Sequence, residues 1–169
     1  MNDLATHAEP QIGQYLGFRL AGEEYAINIL EVQEIKGCQP VTRIPNAPAH
    51  VRGVINLRGL VVPVMDMRSR FGMPRREDDP GTVVIVVRVR LADGTRTIGL
   101  VVDAVTSVHE LDKAGLQAAP DLGAGVDADF IEGLVPLPEG MCILLDLPTL
   151  VRDGLLQAGS PVEAIAVDA

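Results

Sequence analysis

The chain has 169 residues, a formal net charge of −9 and 47% hydrophobic residues, so it carries enough apolar side chain for a folded core and is not disordered. Its length allows one domain or two small lobes. Aromatic residues make up only 3%, whereas valine and isoleucine, which favour strands, are abundant. The composition excludes a disulfide scaffold, a membrane channel and an aromatic platform for nucleic acid.

The charge is divided unevenly along the chain. Residues 1–98 carry 12 basic and 11 acidic side chains, whereas residues 99–169 carry 2 and 12. The segment Lys36–Arg76 has 8 basic residues and one acid, Asp66. Two interpretations stay open: a solvated surface, or a basic surface that steers toward an acidic partner. Nucleic acid is disfavoured because the overall charge is negative.

The two cysteines and the N-terminus indicate a cytoplasmic protein. Cys38 and Cys142 lie too far apart for a CxxC site, so we expect two thiols in a reducing compartment. The first ten residues lack the basic and apolar regions of a secretory signal. No apolar run approaches the ~20 residues that cross a bilayer, so direct membrane insertion is not expected.

The first elements alternate between strand and turn. Residues 1–13 are predicted to form a flexible N-terminal tail. A strand follows in which Leu16, Phe18 and Leu20 share one face. A second strand covers about Tyr25–Asn28, and the stretch after it mixes the strand and helix periods, so its type stays open.

The densest apolar stretch predicts a hairpin. Two runs, Val54–Leu57 and Leu60–Met65, are joined by Arg58 and Gly59, and glycine supplies the backbone angle that a tight turn needs. Pro63 cannot donate a hydrogen bond to a neighbouring strand. We therefore expect the second run to be an edge strand or to carry a bulge.

A short helix and a second hairpin come next. The helix is predicted over Asp66–Phe71. The hairpin has strands Thr82–Leu91 and Thr95–Val102, and Asp93-Gly94 between them is a strong turn signal.

The last third of the chain is predicted to cross between two lobes and return. Residues 104–129 form the crossover, and residues 158–169 form a flexible C-terminal tail. The predicted elements between them are two strands and a helix: Phe130–Leu137, Met141–Leu145 and Pro148–Gln157. Short strands with frequent turns are typical of small barrels or a sandwich.

No catalytic set can be assembled from the residue pattern. Apolar strands end three times in an aspartate: Asp66, Asp103 and Asp146. Such acids could act as an acid–base pair, but two of them precede predicted helices and suit N-capping. The histidines lack the spacing of metal ligands. A binding protein is favoured, with a small β-barrel enzyme or ligand-binding protein that uses Asp66 or Asp103 as the alternative.

Three segments in fixed order identify a family resemblance. VTRIPNAP (41–48), VRGVINLRGLVVPVMDM (51–67) and IGLVVDAV (98–105) closely resemble the CheW family of bacterial chemotaxis coupling proteins. The resemblance begins with YLGFRLAGEEYAINILEVQEI and continues to FIEGL and MCILLDL, so it covers nearly the whole chain apart from the tails.

The resemblance implies a mainly β fold and an adaptor function. The fold would be two interlocked five-stranded SH3-like β-barrels with short helices and a C-terminal helix, forming a single domain over residues 14–157. The protein would be a scaffold without catalytic residues, metal or cofactor. It would link the cytoplasmic tip of a chemoreceptor to the regulatory domain of the histidine kinase CheA, in the cytoplasm at membrane-associated receptor arrays.

The resemblance also implies a receptor groove with an apolar floor and a polar rim. The implied receptor-binding residues are four for the floor and two for the rim: Val32, Ile98, Val105 and Val108, then Glu34 and Arg58. For each floor residue a core position is the alternative. For Arg58 the alternative is a local ion pair with Glu34.

A kinase-binding surface is implied on the crossover, over Leu116–Leu122. This chain carries Gln117 and Leu122 where relatives often have a basic and an aromatic residue, which leaves ring-forming contacts with the kinase open. A coupling protein of a non-flagellar chemosensory pathway, such as surface motility, is an alternative that the sequence does not separate from chemotaxis.

Overall fold

The computed structural model describes residues 11–118 and 128–156, and this part of the chain is mainly β. Its strands are β1 (Ile12–Leu20), β2 (Glu23–Asn28), β3 (Val32–Gly37), β4 (Val51–Leu57), β5 (Leu60–Asp66), β6 (Val83–Leu91), β7 (Gly94–Val102), β8 (Ala104–Asp112), β9 (Ile131–Leu137) and β10 (Gly140–Leu145). Its α-helices are α1 (Met67–Arg70) and α2 (Leu147–Leu156).

The strands form two five-stranded sheets whose connectivity is exchanged. The first sheet has the order β8-β1-β2-β10-β9 and the second has the order β3-β6-β7-β5-β4. The two orders are equivalent: each strand of the first sheet corresponds to the strand five places away in the chain, so β8 corresponds to β3, β1 to β6 and β2 to β7. Each half of the chain thus consists of a hairpin, a single strand, a second hairpin and a helix. The first hairpin of each half joins the sheet that contains the three other strands of the opposite half. The predicted fold class, two interlocked five-stranded barrels with short helices and a C-terminal helix, is confirmed.

Each sheet is closed by the segment that leaves one edge strand and bonds to the opposite edge. After β3, Thr42 exchanges two backbone hydrogen bonds with Val54 of β4, at 2.9 and 2.8 Å. After β8, Gln117 exchanges two with Leu134 of β9, both at 2.8 Å. These paired bonds satisfy edge groups that would otherwise be open to other strands.

A glycine precedes each bridging residue and lets the backbones approach. A Cβ on Gly53 would overlap the Thr42 carbonyl, and Gly53 also has a φ of +149°. A Cβ on Gly133 would lie 2.7 Å from the carbonyl oxygen of Gln117. Both closures therefore require a residue without a side chain.

Three apolar cores hold the fold together. The largest, which we call the shared core, joins both sheets and both helices, and its buried members are Leu16, Phe18, Leu20, Tyr25, Ile27, Met65, Met67, Ile85, Val87, Val89, Ile98, Leu100, Val102, Phe130, Leu145, Leu147, Leu150 and Val151. The inside of the second sheet is filled by Ile55, Leu57, Val62, Val64, Val84, Val86 and Val101. The inside of the first is filled by Tyr15, Ala26, Leu111, Val135, Cys142 and Leu144.

Four of the five aromatic rings pack together in one place. Phe18, Tyr25, Phe71 and Phe130 form a continuous row with centroid distances of 5.7, 5.5 and 4.9 Å. The guanidinium carbon of Arg70 lies 4.8 Å from the centre of the Phe130 ring, a cation–π contact. The row joins the first hairpin, the end of α1 and the start of β9 across the shared core.

The first strand begins earlier than the pattern predicted. β1 includes Ile12 and Gly13, which pair with Asp112 and Leu111 of β8, so the predicted tail over residues 1–13 is wrong at its last two positions. The cause is tertiary, because β8 supplies the pairing for residues whose own pattern is not strand-like. The rest of that tail, and residues 158–169, lie outside the described residues.

Pro63 lies in an interior strand, so the expected edge position is wrong. It faces Val54, whose backbone groups both bond to Thr42, and the Pro63 nitrogen therefore points away from β4. On that other side β5 begins to pair with β7 only at Val64, so no hydrogen bond is lost. The bulge is in β4, where the extra residue is Arg52.

Other local predictions agree with the structure. The Asp66 carboxylate accepts the Ser69 N–H at 3.2 Å and caps α1, and Asp146 accepts the Thr149 N–H at 3.2 Å at the start of α2. The stretch after β2, whose type was open, is a 3₁₀ turn over Ile29–Glu31 followed by β3.

Replacing Gly53 with alanine is expected to open the closure of the second barrel. The new Cβ has no room at the Thr42 carbonyl and the backbone angle is unfavourable for a side chain, so we expect a loss of about 2–4 kcal/mol in the free energy of unfolding. Chemical denaturation measures it. Gly115→Ala is the matched control, because a Cβ there meets no atom within 4 Å. Equal stability of the two variants would contradict the closure argument.

Candidate functional site

The four residues expected to form an apolar floor all face the shared core. Directly opposed residues of an antiparallel pair project to the same side of a sheet. Each floor residue lies opposite a member of the shared core: Val32 and Ile98 opposite Val87, Val105 opposite Phe18, and Val108 opposite Leu16. The edge strands β3 and β8 therefore border the same apolar layer.

Three of these four side chains are accessible to a partner, and the fourth is buried. Val108 is 50% exposed, and Val32 and Val105 are half-buried at the rim of the shared core. Ile98 is 0% exposed, so in this conformation it has no surface to offer a partner. For Ile98 the core position, which was the alternative, is the position found, because its side chain is buried within the shared core.

Arg58 is held at the tip of the β4–β5 hairpin in an unusual backbone conformation. Leu57 and Leu60 pair, and the two loop residues Arg58 and Gly59 have φ of 52° and 89°, as a type I′ turn requires. The Asn56 side chain accepts the Gly59 N–H at 2.9 Å. A left-handed arginine costs about 1–2 kcal/mol, so the turn alone does not explain its presence.

The Arg58 side chain is 64% exposed and binds Glu34 of β3. Nη2 donates to Oε2, and Nη1 lies 3.5 Å from Oε1. Hydrogen bonding from Arg58 lowers the pKa of Glu34, and Lys36, 3.8 Å away, adds to the effect. The ion pair that was the alternative role for Arg58 is therefore present. A partner carboxylate would have to compete with Glu34 for the guanidinium.

Asp103 lies where the chain passes from β7 to β8 and connects the two sheets. Its carboxylate accepts two bonds from Arg68, at 2.8 and 2.7 Å, and one from the N–H of Ala21 at 2.9 Å. Hydrogen bonding from Arg68 holds its pKa below the usual value. Ala21 is in the turn of the first hairpin and Arg68 is in α1, so this carboxylate has a structural task.

Asp66 is also fully engaged. Arg52 donates to it through Nε at 2.9 Å and binds Asp78 with two further bonds at 3.0 Å. The Cys38 thiol donates to Asp78 at 2.9 Å. The side chains of Asp66 and Arg52 are 5% and 15% exposed. These bonds occupy the acids on which the enzyme alternative depended, and no group of metal ligands is found within residues 11–118 and 128–156.

The basic segment from Lys36 to Arg76 is therefore not one free basic surface. Most of its arginines bind acids that lie elsewhere in the sequence, as Arg52 does with Asp78 and Arg68 with Asp103. Arg52, whose side chain is 15% exposed, is held in a partly buried network with Asp66 and Asp78. Counting charge along the chain did not separate paired from unpaired cations.

One polar cluster was not foreseen. Glu24 of β2 accepts a bond from Thr106 and lies 2.8 Å from Nε2 of His109, both on β8. Gly17 of β1 makes room for it, because a Cβ there would lie 2.6 Å from His109 and from Thr106. The cluster lines a cleft of about 260 Å³ with Arg19. Gly17, a glycine inside a predicted strand, was the one feature of the sequence that could have indicated a close approach here.

The two residues expected to contact a kinase are only partly described. The Gln117 side chain is exposed, while its backbone forms the bridge to Leu134. Leu122 lies outside the described residues.

Comparison with known proteins identifies the family to which the chain belongs. The CheW-like domain family matches residues 14–154. The chain belongs to the CheW family. This CheW-family protein is 42% identical to chemotaxis protein CheW of Klebsiella aerogenes over 83% of this chain and 82% of that one. It is 35% identical to chemotaxis protein CheW of Rhizobium meliloti, over 89% and 94% of the two chains.

A solved structure has the same fold. The scaffolding protein TtCheW from Thermoanaerobacter tengcongensis superposes on this CheW-family protein with a TM-score of 0.72 and 32% identity, covering 85% of this chain and 89% of that one. Within the described part of the chain, no helix is long and apolar enough to span a membrane.

Asp103→Asn is expected to destabilise the fold by about 2 kcal/mol at pH 7, because charge-assisted bonds to Arg68 are lost. The folded-state pKa of Asp103 is lowered, so its contribution is present above the unfolded value of about 3.9 and is lost as pH falls through the folded value. Wild type should therefore lose stability below about pH 4 more steeply than Asp103→Asn. Denaturation curves between about pH 2 and 7 measure this, and parallel profiles would contradict it.

Proposed function

We propose that this CheW-family protein is a non-enzymatic adaptor of bacterial chemotaxis that links chemoreceptor tips to the histidine kinase CheA. The observation that carries the proposal is the family match over residues 14–154. Two relatives bear the name chemotaxis protein CheW, and the solved neighbour is called a scaffolding protein. Its place of action is the cytoplasm, at membrane-associated receptor arrays.

The receptor helix would lie against the apolar border of the shared core. Val108 and the half-buried Val32 and Val105 supply the contact surface, and Ile98 supports it from beneath. An amphipathic helix binds such a surface through apolar residues spaced at one-turn intervals. Because the surface belongs to edge strands of both sheets, the affinity for a helix would depend on how the two barrels pack against each other.

Arg58 and Glu34 would act as an exchangeable polar clamp. The Arg58 guanidinium can give its planar pair of donors to a receptor carboxylate or carbonyl in place of Glu34. Its left-handed backbone fixes the side chain at the hairpin tip. An exposed ion pair is weak and is screened by salt, so a partner can replace it at little cost.

The kinase would bind on the crossover after β8. Gln117 offers an exposed side chain on a backbone that is fixed by its bridge to β9. Leu122 is proposed, from the family resemblance, as a second kinase-binding residue. Receptor state would reach the kinase because the adaptor binds two receptor conformations with different affinity.

Arg58→Glu is expected to weaken binding to a receptor signalling fragment at least tenfold, because a charge-reversed rim repels the same carboxylate. Co-sedimentation measures the binding, and the thermal transition should barely move because Arg58 is exposed. The charge swap Glu34→Arg with Arg58→Glu restores the internal ion pair without restoring the hairpin-tip cation. Recovery of receptor binding in the swap would show that Arg58 acts only through Glu34.

Reconstitution tests the adaptor function as a whole. We expect CheA autophosphorylation in the presence of receptor to rise severalfold when the protein is added, and to remain at the basal rate with Arg58→Glu. A phosphate-incorporation time course measures it. Kinase activity that is indifferent to the wild-type protein, together with absent receptor binding, would overturn the proposed function.

A further inference from the structure

The β6–β7 hairpin extends beyond the barrel to which it belongs. β3 pairs with β6 only as far as Val87, and β5 pairs with β7 only from Gly99 onward. Between these points β6 and β7 continue to pair with each other up to Leu91 and Gly94. The part from Arg88 to Ile98, which we call the arm, is a two-stranded ribbon without further strand partners among the described residues.

One face of the arm is anchored and the other is open. Val89 and Ile98 are 0% exposed in the shared core, and Leu91 packs against it. The alternate residues point the other way, where Arg88 lies opposite Thr97 and Arg90 lies opposite Thr95. Both arginines are exposed. Because the buried face fixes the ribbon, the two guanidinium groups project from a rigid support.

The open face of the arm carries two cations that are unpaired in the described part of the chain. Neither Arg88 nor Arg90 has an ion-pair partner among the described residues. The only acid of the arm, Asp93, is bound to Arg96 at 3.0 Å. This differs from the segment Lys36–Arg76, where most arginines bind acids. On a chain of net charge −9, two unpaired arginines on a fixed ribbon form a local attraction for acidic groups.

The arm lies at the same end of the second barrel as Arg58. β5 runs parallel to β7, so the β4–β5 turn that carries Arg58 and the β6–β7 turn project from the same end of the sheet. Glu34 of β3 faces Val86 of β6, which lies two residues before Arg88 on the same face. The arm therefore continues the surface that starts at the Arg58–Glu34 clamp.

We propose that the open face of the arm is a second docking surface for the receptor, and that it binds the acidic face of a receptor helix. Arginines two residues apart on a strand are spaced by about 7 Å. Acidic side chains one turn apart on a helix are spaced by about 6 Å, so two carboxylates can meet the two guanidinium groups. Thr97 and Thr95 lie opposite Arg88 and Arg90 on the same face and add two hydroxyl donors. This inference rests on the proposed function, since it assigns the receptor as occupant.

The test compares two double charge reversals in the full-length protein. Arg88→Glu with Arg90→Glu is expected to weaken binding to a receptor signalling fragment about tenfold and to reduce its salt dependence between about 50 and 300 mM. Arg43→Glu with Arg75→Glu changes the net charge equally, on exposed residues outside the arm, and is expected to leave the dissociation constant within about twofold. Arg88→Lys with Arg90→Lys keeps the charge and should retain most of the binding.

The outcomes separate this inference from the function on which it rests. Rescue of the Arg88→Glu, Arg90→Glu variant by a receptor fragment in which two glutamates one turn apart are changed to lysine would support direct pairing. If both double reversals weakened receptor binding equally, the loss would come from the change in net charge alone, and the proposed docking surface would be wrong. Unchanged binding of the arm variant, beside loss in Arg58→Glu, would also overturn it while the adaptor function stands. No binding by the wild type would overturn the proposed function itself.

Discussion

Burial of the shared core holds the two barrels together, because this core contains side chains from both of them. Each sheet has its own small interior, but the largest buried cluster contains residues of both sheets and both helices. Burial of this layer supplies most of the hydrophobic stabilisation, since such stabilisation scales with the apolar area removed from water. Neither barrel is complete without strands from the other half of the chain. The two barrels are therefore one packing unit, and a partner that contacts the border of the shared core acts on both.

Backbone closure and partly buried ion pairs then make the exchanged arrangement specific. Gly53 and Gly133 occupy corresponding places in the two halves, and each allows one bridge between opposite sheet edges. Asp103 connects the first hairpin, α1 and the β7–β8 junction. Apolar burial has no direction, whereas these bonds do, and they fix which strand closes which barrel.

The pairing of charges explains which surfaces are free to bind. Arginines of the central segment largely neutralise acids distant in sequence, so the net basic count there does not describe the surface. Arg58 is bound, but it is itself exposed and its single partner is the half-buried Glu34, which a partner protein can displace. Arg88 and Arg90 differ because the ribbon that carries them extends past its neighbouring strands, and neither has an ion-pair partner within the described residues.

Local sequence patterns were enough to predict the strand-rich fold, the hairpins at Arg58-Gly59 and Asp93-Gly94, the capping aspartates and, through ordered motifs, the family. These depend on local backbone preference and on patterns within a few residues, which the chain displays directly. Four features came from the tertiary structure alone: Pro63 lies in an interior strand, Ile98 is buried, Arg52 is bound by acids, and Arg88 and Arg90 have no ion-pair partner within residues 11–118 and 128–156. Each of these outcomes depends on strands or charges brought together from distant positions, and such long-range packing leaves no local signal at the residue it affects.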